Sequence, residues 1–112
     1  MTSHVSTVTC LPRAISENSC RSILDDMRVS RSTSSFGRNG RADVKLPFLL
    51  LSRDRRCKVI IDTNSRTDQA SWFQMWEAVQ AMYGMCYRFG RGGRAINIGA
   101  DKQLSLEMGP AF

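Results

Sequence analysis

Four cysteines, Cys10, Cys20, Cys57 and Cys86, are spread through a chain of only 112 residues. A chain of this size buries somewhere between roughly 60% and 70% of its unfolded surface, so covalent staples add usefully to a small core. Structural zinc sites draw their ligands from close CxxC or CxxH pairs, whereas neighbouring cysteines here stand 10, 37 and 29 positions apart and the one histidine is His4. Zinc is therefore a poor reading, and an even number of well-separated cysteines in a short chain reads as two disulfides, for which three pairings exist, with buried free thiols as the alternative. Disulfides persist in oxidising compartments, which points the chain outside the cell.

Helical periodicity appears after Asn18, where Cys20, Ile23, Leu24 and Met27 recur at i, i+3, i+4 and i+7, predicting a helix over Ser19 to Val29. Ser30 to Asp43 has no period and reads as a long basic loop around one apolar residue, Phe36. Val44 to Leu51 and Cys57 to Thr63 are rich in β-branched and large apolar residues, with the polar run Ser52 to Arg56 as their connection. Pro47 cannot donate a ladder hydrogen bond, so the first of these strands belongs at an edge or bulge. Thr67 or Asp68 is placed to cap a second helix over Gln69 to Tyr87, with Trp72, Met75, Trp76, Val79, Tyr83 and Cys86 along one stripe and Gly90 as its stop. Ile96 and Ile98, then Leu104, Leu106 and Met108, alternate with polar or small residues as half-buried strands do.

The order helix, strand, strand, helix, strand, strand predicts an α+β two-layer sandwich: a four-stranded, mainly antiparallel sheet with two helices on one face. Residues 1–17 form an N-terminal segment, 18–109 a single domain and 110–112 a tail. The core is expected to contain Ile23, Leu24, Met27, Val59, Ile61, Trp72, Trp76, Val79, Tyr83, Ile96, Leu104 and Leu106. If the second helix returns antiparallel to the strand that begins at Cys57, its last turn brings Cys86 back to Cys57. Cys10 then pairs with Cys20.

The chemistry of catalysis is sparse. His4 precedes every predicted element, which removes histidine-based nucleophilic dyads. Glu17, Glu77 and Glu107 are the only glutamates, and Asp25 and Asp26 are helix neighbours pointing about 100° apart, too divergent to act on one bond. Gly90-Arg91-Gly92-Gly93-Arg94 follows a helix and enters a strand, at the negative end of the macrodipole, unlike a phosphate loop. No cofactor or metal is expected, and the chain is expected to work without turnover.

Sixteen basic against ten acidic side chains give a net charge of +6, which favours anionic partners. The candidate contacts are Arg28, Arg31, Arg38 and Arg41 on the long loop, then Arg91 and Arg94, with Arg53, Arg55, Arg56 and Lys58 beside the hairpin. A nucleic-acid partner would rest on charge alone, since the predicted central strands offer Ile96, Asn97, Leu104 and Leu106 where a stacking RNA-binding sheet carries aromatics. The apolar run Pro47 to Leu51 is far too short to cross a bilayer. Met1 to Thr9 is polar and β-branched, unlike a secretory signal.

One ordered pattern remains: Cys10; Cys20-Arg21-Ser22-Ile23-Leu24 opening a helix; Phe36-Gly37; Leu46-Pro47; Cys57-Lys58-Val59-Ile60-Ile61-Asp62; Ser71-Trp72; Cys86; Gly92-Gly93; and a closing Leu104-Ser105-Leu106 strand. From Cys10 to Met108 this resembles the small secreted cysteine-containing proteins of ascomycete fungi, many of them uncharacterised and some regarded as candidate effectors. The resemblance implies a secreted, disulfide-stapled α+β domain with no catalytic residues, acting at a host or competitor surface. Similar two-layer folds occur among fungal killer toxins. The alternative is an intracellular basic module that binds RNA or another polyanion.

Overall fold

In a computed structural model that describes residues 7–111, the sheet grows outward from its most apolar strand. Along β5 (Cys57–Thr63) the odd positions Cys57, Val59, Ile61 and Thr63 are all buried, and β8 (Leu104–Pro110) answers with Leu104, Leu106 and Met108. The two pair antiparallel over seven residues, from Cys57 opposite Pro110 to Thr63 opposite Leu104. On one side β5 pairs with β4 (Phe48–Leu51), and on the other β8 pairs with β7 (Arg91–Ile98), which pairs with β1 (Thr7–Ala14). The result is a five-stranded antiparallel sheet, β1-β7-β8-β5-β4. It has one strand more than the four expected. The additional strand is the N-terminal segment, whose Cys10 lies opposite Gly93.

A second, smaller sheet departs further from expectation. Within the segment expected to be an irregular loop, β2 (Thr33–Gly37) runs parallel to β3 (Val44–Lys45) and antiparallel to β6 (Asp68–Ser71). Phe36 anchors it: the ring is fully buried and meets Trp72 edge-on at 5.4 Å. The span Val44 to Leu51 is thus two strands in two sheets, divided at Leu46-Pro47, and β4 takes the edge position that Pro47 implied.

Helix α1 (Glu17–Asp26) starts earlier than the periodicity indicated, because Ser16, not Asn18, accepts the Ser19 N–H as its cap. Helix α2 (Trp72–Met85) starts later. Ser71 caps it in a reciprocal box with Gln74, while Thr67 and Asp68 belong to the approach and to β6. After α2 a single 3-10 turn, Tyr87–Phe89, ends at Gly90 with φ +77°. None of the described helices is long and apolar enough to cross a membrane.

Both helices cover one face of the large sheet, and the disulfides mark where. Cys20 in the first turn of α1 is bonded to Cys57 at the start of β5, and Cys10 on β1 is bonded to Cys86 at the end of α2. The pairing expected from the sequence, Cys57 with Cys86 and Cys10 with Cys20, is corrected. Helix α2 ends over β7 and β1, not over β5: a Cβ on Gly93 would lie 3.2 Å from the Cys86 sulfur. The start of β5 is left to α1.

The core holds the expected residues with four adjustments. Leu24, Trp76 and Tyr83 pack against it while remaining partly exposed. Ile96 turns outward, since the β7–β8 register shifts between Ala95 and Ile98 and Asn97 sits at φ +63°. That bulge puts Ala95 and Ile98, rather than Ile96 and Ile98, on the helix side.

Candidate binding surfaces

The four loop arginines do not form one patch. Arg38 is committed internally: its guanidinium donates to both Asp62 oxygens, at 3.1 and 2.9 Å, and to the Thr63 carbonyl. The same contact holds the Asp62 carboxyl below its ordinary range. Arg31 lies over the Phe73 ring, 4.0 Å from its centroid. Arg28 and Arg41 are exposed with no carboxylate partner among the described residues. The segment is also more ordered than a loop, because Asp43 accepts the Ser35 N–H at 3.0 Å and returns its own N–H to the Ser35 hydroxyl at 2.8 Å.

Arg28 stands at the mouth of an open pocket of about 350 Å³ between the end of α1, β3, β4 and the start of α2. Trp72, Phe48, Val44 and Leu50 supply an apolar floor, and Asp26, Asp43, Arg28 and Lys45 a rim of mixed sign. Such a pocket can take one apolar side chain or ring of a partner. Its charges nearly cancel, so it does not account for a basic surface.

At the β4–β5 hairpin the charges are sorted by Asp54. Its carboxylate accepts from the Ser19 and Ser52 hydroxyls and from the Arg56 N–H, which hold its pKa down at about 2. Arg53 pairs with Asp26 at 2.9 and 2.6 Å. Arg55 and Arg56 are left facing solvent.

The face of the large sheet turned away from the helices is uncovered. It presents Thr9, Arg94, Glu107, Ile60 and Leu49 in one cross-strand row. The next row holds Gly109, Lys58 and Leu51. Gly92 adjoins Gly109, since a Cβ there would be 3.7 Å from the Gly109 Cα and only 2.7 Å from the Met108 carbonyl oxygen. Arg13 reaches in from β1: its terminal nitrogen is 3.9 Å from the place a Gly109 side chain would start. Arg91 and Arg94 are three apart on one strand and point to opposite faces, so only Arg94 joins this group.

Across the described residues Arg38 and Arg53 are the cations in ion pairs, leaving fourteen of sixteen without a carboxylate partner. Asp43, Asp54 and Asp68 use their carboxylates on internal N–H and O–H groups instead. No group of three or more histidine, cysteine or carboxylate side chains assembles among the described residues. No protein-family model matches the sequence, and a search of curated proteins finds no relative.

Proposed function

We propose that this chain is a small secreted fungal protein, fastened by two disulfides, that acts by binding an anionic component of a host or competitor surface and not by turnover. The observation that carries the reading is the imbalance just described. Among the described residues fourteen lysines and arginines stand outside ion pairs while Asp43, Asp54 and Asp68 are occupied by internal N–H and O–H groups, and a net charge of +6 attracts polyanions from a distance, less so as salt rises. The two disulfides support an extracellular setting. The resemblance to fungal secreted proteins places the candidate-effector and toxin-like roles within this reading.

The test is retention of the oxidised protein on an anionic matrix, with a neutral matrix of the same backbone as control. The reading requires retention at 50 mM salt that is lost by about 500 mM, on the anionic matrix alone. Equal passage through both would contradict it.

A further inference from the structure

The two edges of the large sheet are not alike. The β1 edge carries Pro12 and Arg13, residues of the kind that keep a strand from pairing with another chain. The β4 edge has no such guard along Phe48–Leu51: all four residues are large and apolar, and Leu49 is 55% and Leu51 43% exposed. The Ser52 N–H donates to the Cys57 carbonyl at 2.9 Å. Backbone groups alternate between the two sides of a strand, so the N–H and C=O of Leu50 face β5, opposite Val59, while those of Leu49 and Leu51 face outward. Among the described residues no backbone group of a loop or turn bonds to them.

A strand with these two outward-facing residues can pair with its own copy in one register. Antiparallel pairing about a two-fold axis at Leu50 sets Leu49 of each copy opposite Leu51 of the other, and each of these pairs exchanges two N–H···O=C bonds. An axis at Leu49 would put Leu51 against Pro47, which has no N–H to give. An axis at Leu51 would put Leu49 against Arg53, whose N–H is used on the Ser22 hydroxyl. An axis between two residues would set outward-facing groups against groups already bonded to β5. In the Leu50 register, Leu49 and Leu51 of the two copies extend the aliphatic strip that begins at Ile60. The two Leu50 side chains meet on the helix side, at the pocket that Leu50 lines with Phe48 and Trp72.

The charge around this edge suits a second copy better than an anion. The strand itself carries none, and the pocket rim holds Asp26 and Asp43 against Arg28 and Lys45, two of each sign. An axis through Leu50 brings the rims of both copies together, and a balanced rim meets its like without net repulsion. A polyanion would meet two carboxylates in the same place. Two edges of four residues make a contact at the small end of interface sizes, below about 1,200 Å², so the association is weak.

We propose that β4 pairs antiparallel with β4 of a second copy of this chain, two-fold about Leu50, joining the two five-stranded sheets into one continuous sheet. The pairing does not depend on the anionic-partner reading. Each copy carries +6, so the association strengthens as salt rises, the reverse of polyanion binding.

Sedimentation velocity of the oxidised parent and of L49K/L51K, from about 20 μM to about 1 mM protein and at about 50 and about 500 mM salt, tests the pairing. Both leucines are exposed, so the double variant leaves the core untouched, and circular dichroism checks its fold. A second measurement is the rate of intermolecular disulfide formation in L50C and L51C. Across the axis Leu50 faces itself with Cα atoms about 4.5 Å apart, within disulfide reach, whereas Leu51 stands two residues away from its own copy. The expected result is reversible dimerisation that is stronger at high salt and at least tenfold weaker in L49K/L51K, with L50C cross-linking at least fivefold faster than L51C. A parent that stays monomeric at the highest protein and salt concentrations overturns the proposal. So does a dimer that survives in a folded L49K/L51K, or cross-linking of L51C as fast as that of L50C.

Discussion

The carboxylate of Asp68 accepts the backbone N–H of Gln103, 35 residues away, at 2.9 Å, and from this bond the turn between β7 and β8 hangs on the small sheet. The same carboxylate, 1% exposed, also accepts the N–H groups of Asp101 and Gln69. The turn comes close enough that Gly99, at φ +101°, has no room for a side chain: a Cβ there would sit 2.5 Å from the Asp68 oxygen. Asp68→Ala leaves three donors without their acceptor and should cost about 3 kcal/mol in urea unfolding. Asp68→Asn, which keeps one acceptor oxygen, should cost less, and Gly99→Ala should also destabilise. A neutral Asp68→Ala would mean that the turn is not held from β6.

Acid sensitivity should reside at Asp54. Hydrogen bonds from Ser19, Ser52 and the Arg56 N–H lower its folded pKa to about 2, from an ordinary 3.8. A depressed carboxylate adds stability that is complete above the ordinary value and lost as pH falls through the folded one. The parent's thermal midpoint should therefore fall between about pH 4 and pH 2. Asp54→Asn should melt below the parent at pH 6, with the gap closing by pH 2. A gap that stays constant over this range contradicts the assignment.

Tyr87 is fully buried, and its hydroxyl finds no partner among the described residues. Burial pushes its pKa well above the ordinary tyrosine value. Removing an unpaired buried hydroxyl while keeping the ring relieves a desolvation cost, so Tyr87→Phe should be neutral or stabilising by up to about 1 kcal/mol. Tyr83, which packs edge-on against Tyr87 at 4.9 Å and donates to Glu17, should behave oppositely, with Tyr83→Phe losing a fraction of a kcal/mol. Both are read from the same denaturation series.

The disulfides should matter comparably despite their different spans. Cys10–Cys86 closes 76 residues and Cys20–Cys57 closes 37, and because loop entropy grows only logarithmically, each contributes about 4 kcal/mol on the chain-entropy model. Replacing either pair by serine should lower stability by about 2 to 5 kcal/mol. A pair whose removal costs under 1 kcal/mol is not fastening the fold.

How far the sequence carried depends on whether a residue's neighbours in the chain decide its place. The buried alternation of β5 and β8 and the stripe of α2 are local patterns, and they were legible because one face of each is core. The strands β1 and β2 were not, since Pro12 interrupts the first and serines fill the second. Phe36 alone hinted that Thr33 to Gly37 is anchored. The disulfide pairing failed for a related reason: it depends on which strand α2 covers, and that is settled by the close approach at Gly93. Of the open-face cations, Lys58 and Arg94 stood out as charges, but Arg13 lay in a segment assigned to no element. That they share one face of the sheet follows from strand order and register, which no local pattern encodes.

The account depends on a chain fastened by Cys10–Cys86 and Cys20–Cys57 outside the reducing interior of the cell, and the most direct measurement is peptide mapping without reduction on protein recovered from its native source. The predicted result is Cys10 linked to Cys86 and Cys20 linked to Cys57, each essentially complete, with reduction adding four hydrogen atoms to the intact mass. Four free thiols, or a Cys57–Cys86 link, would contradict it.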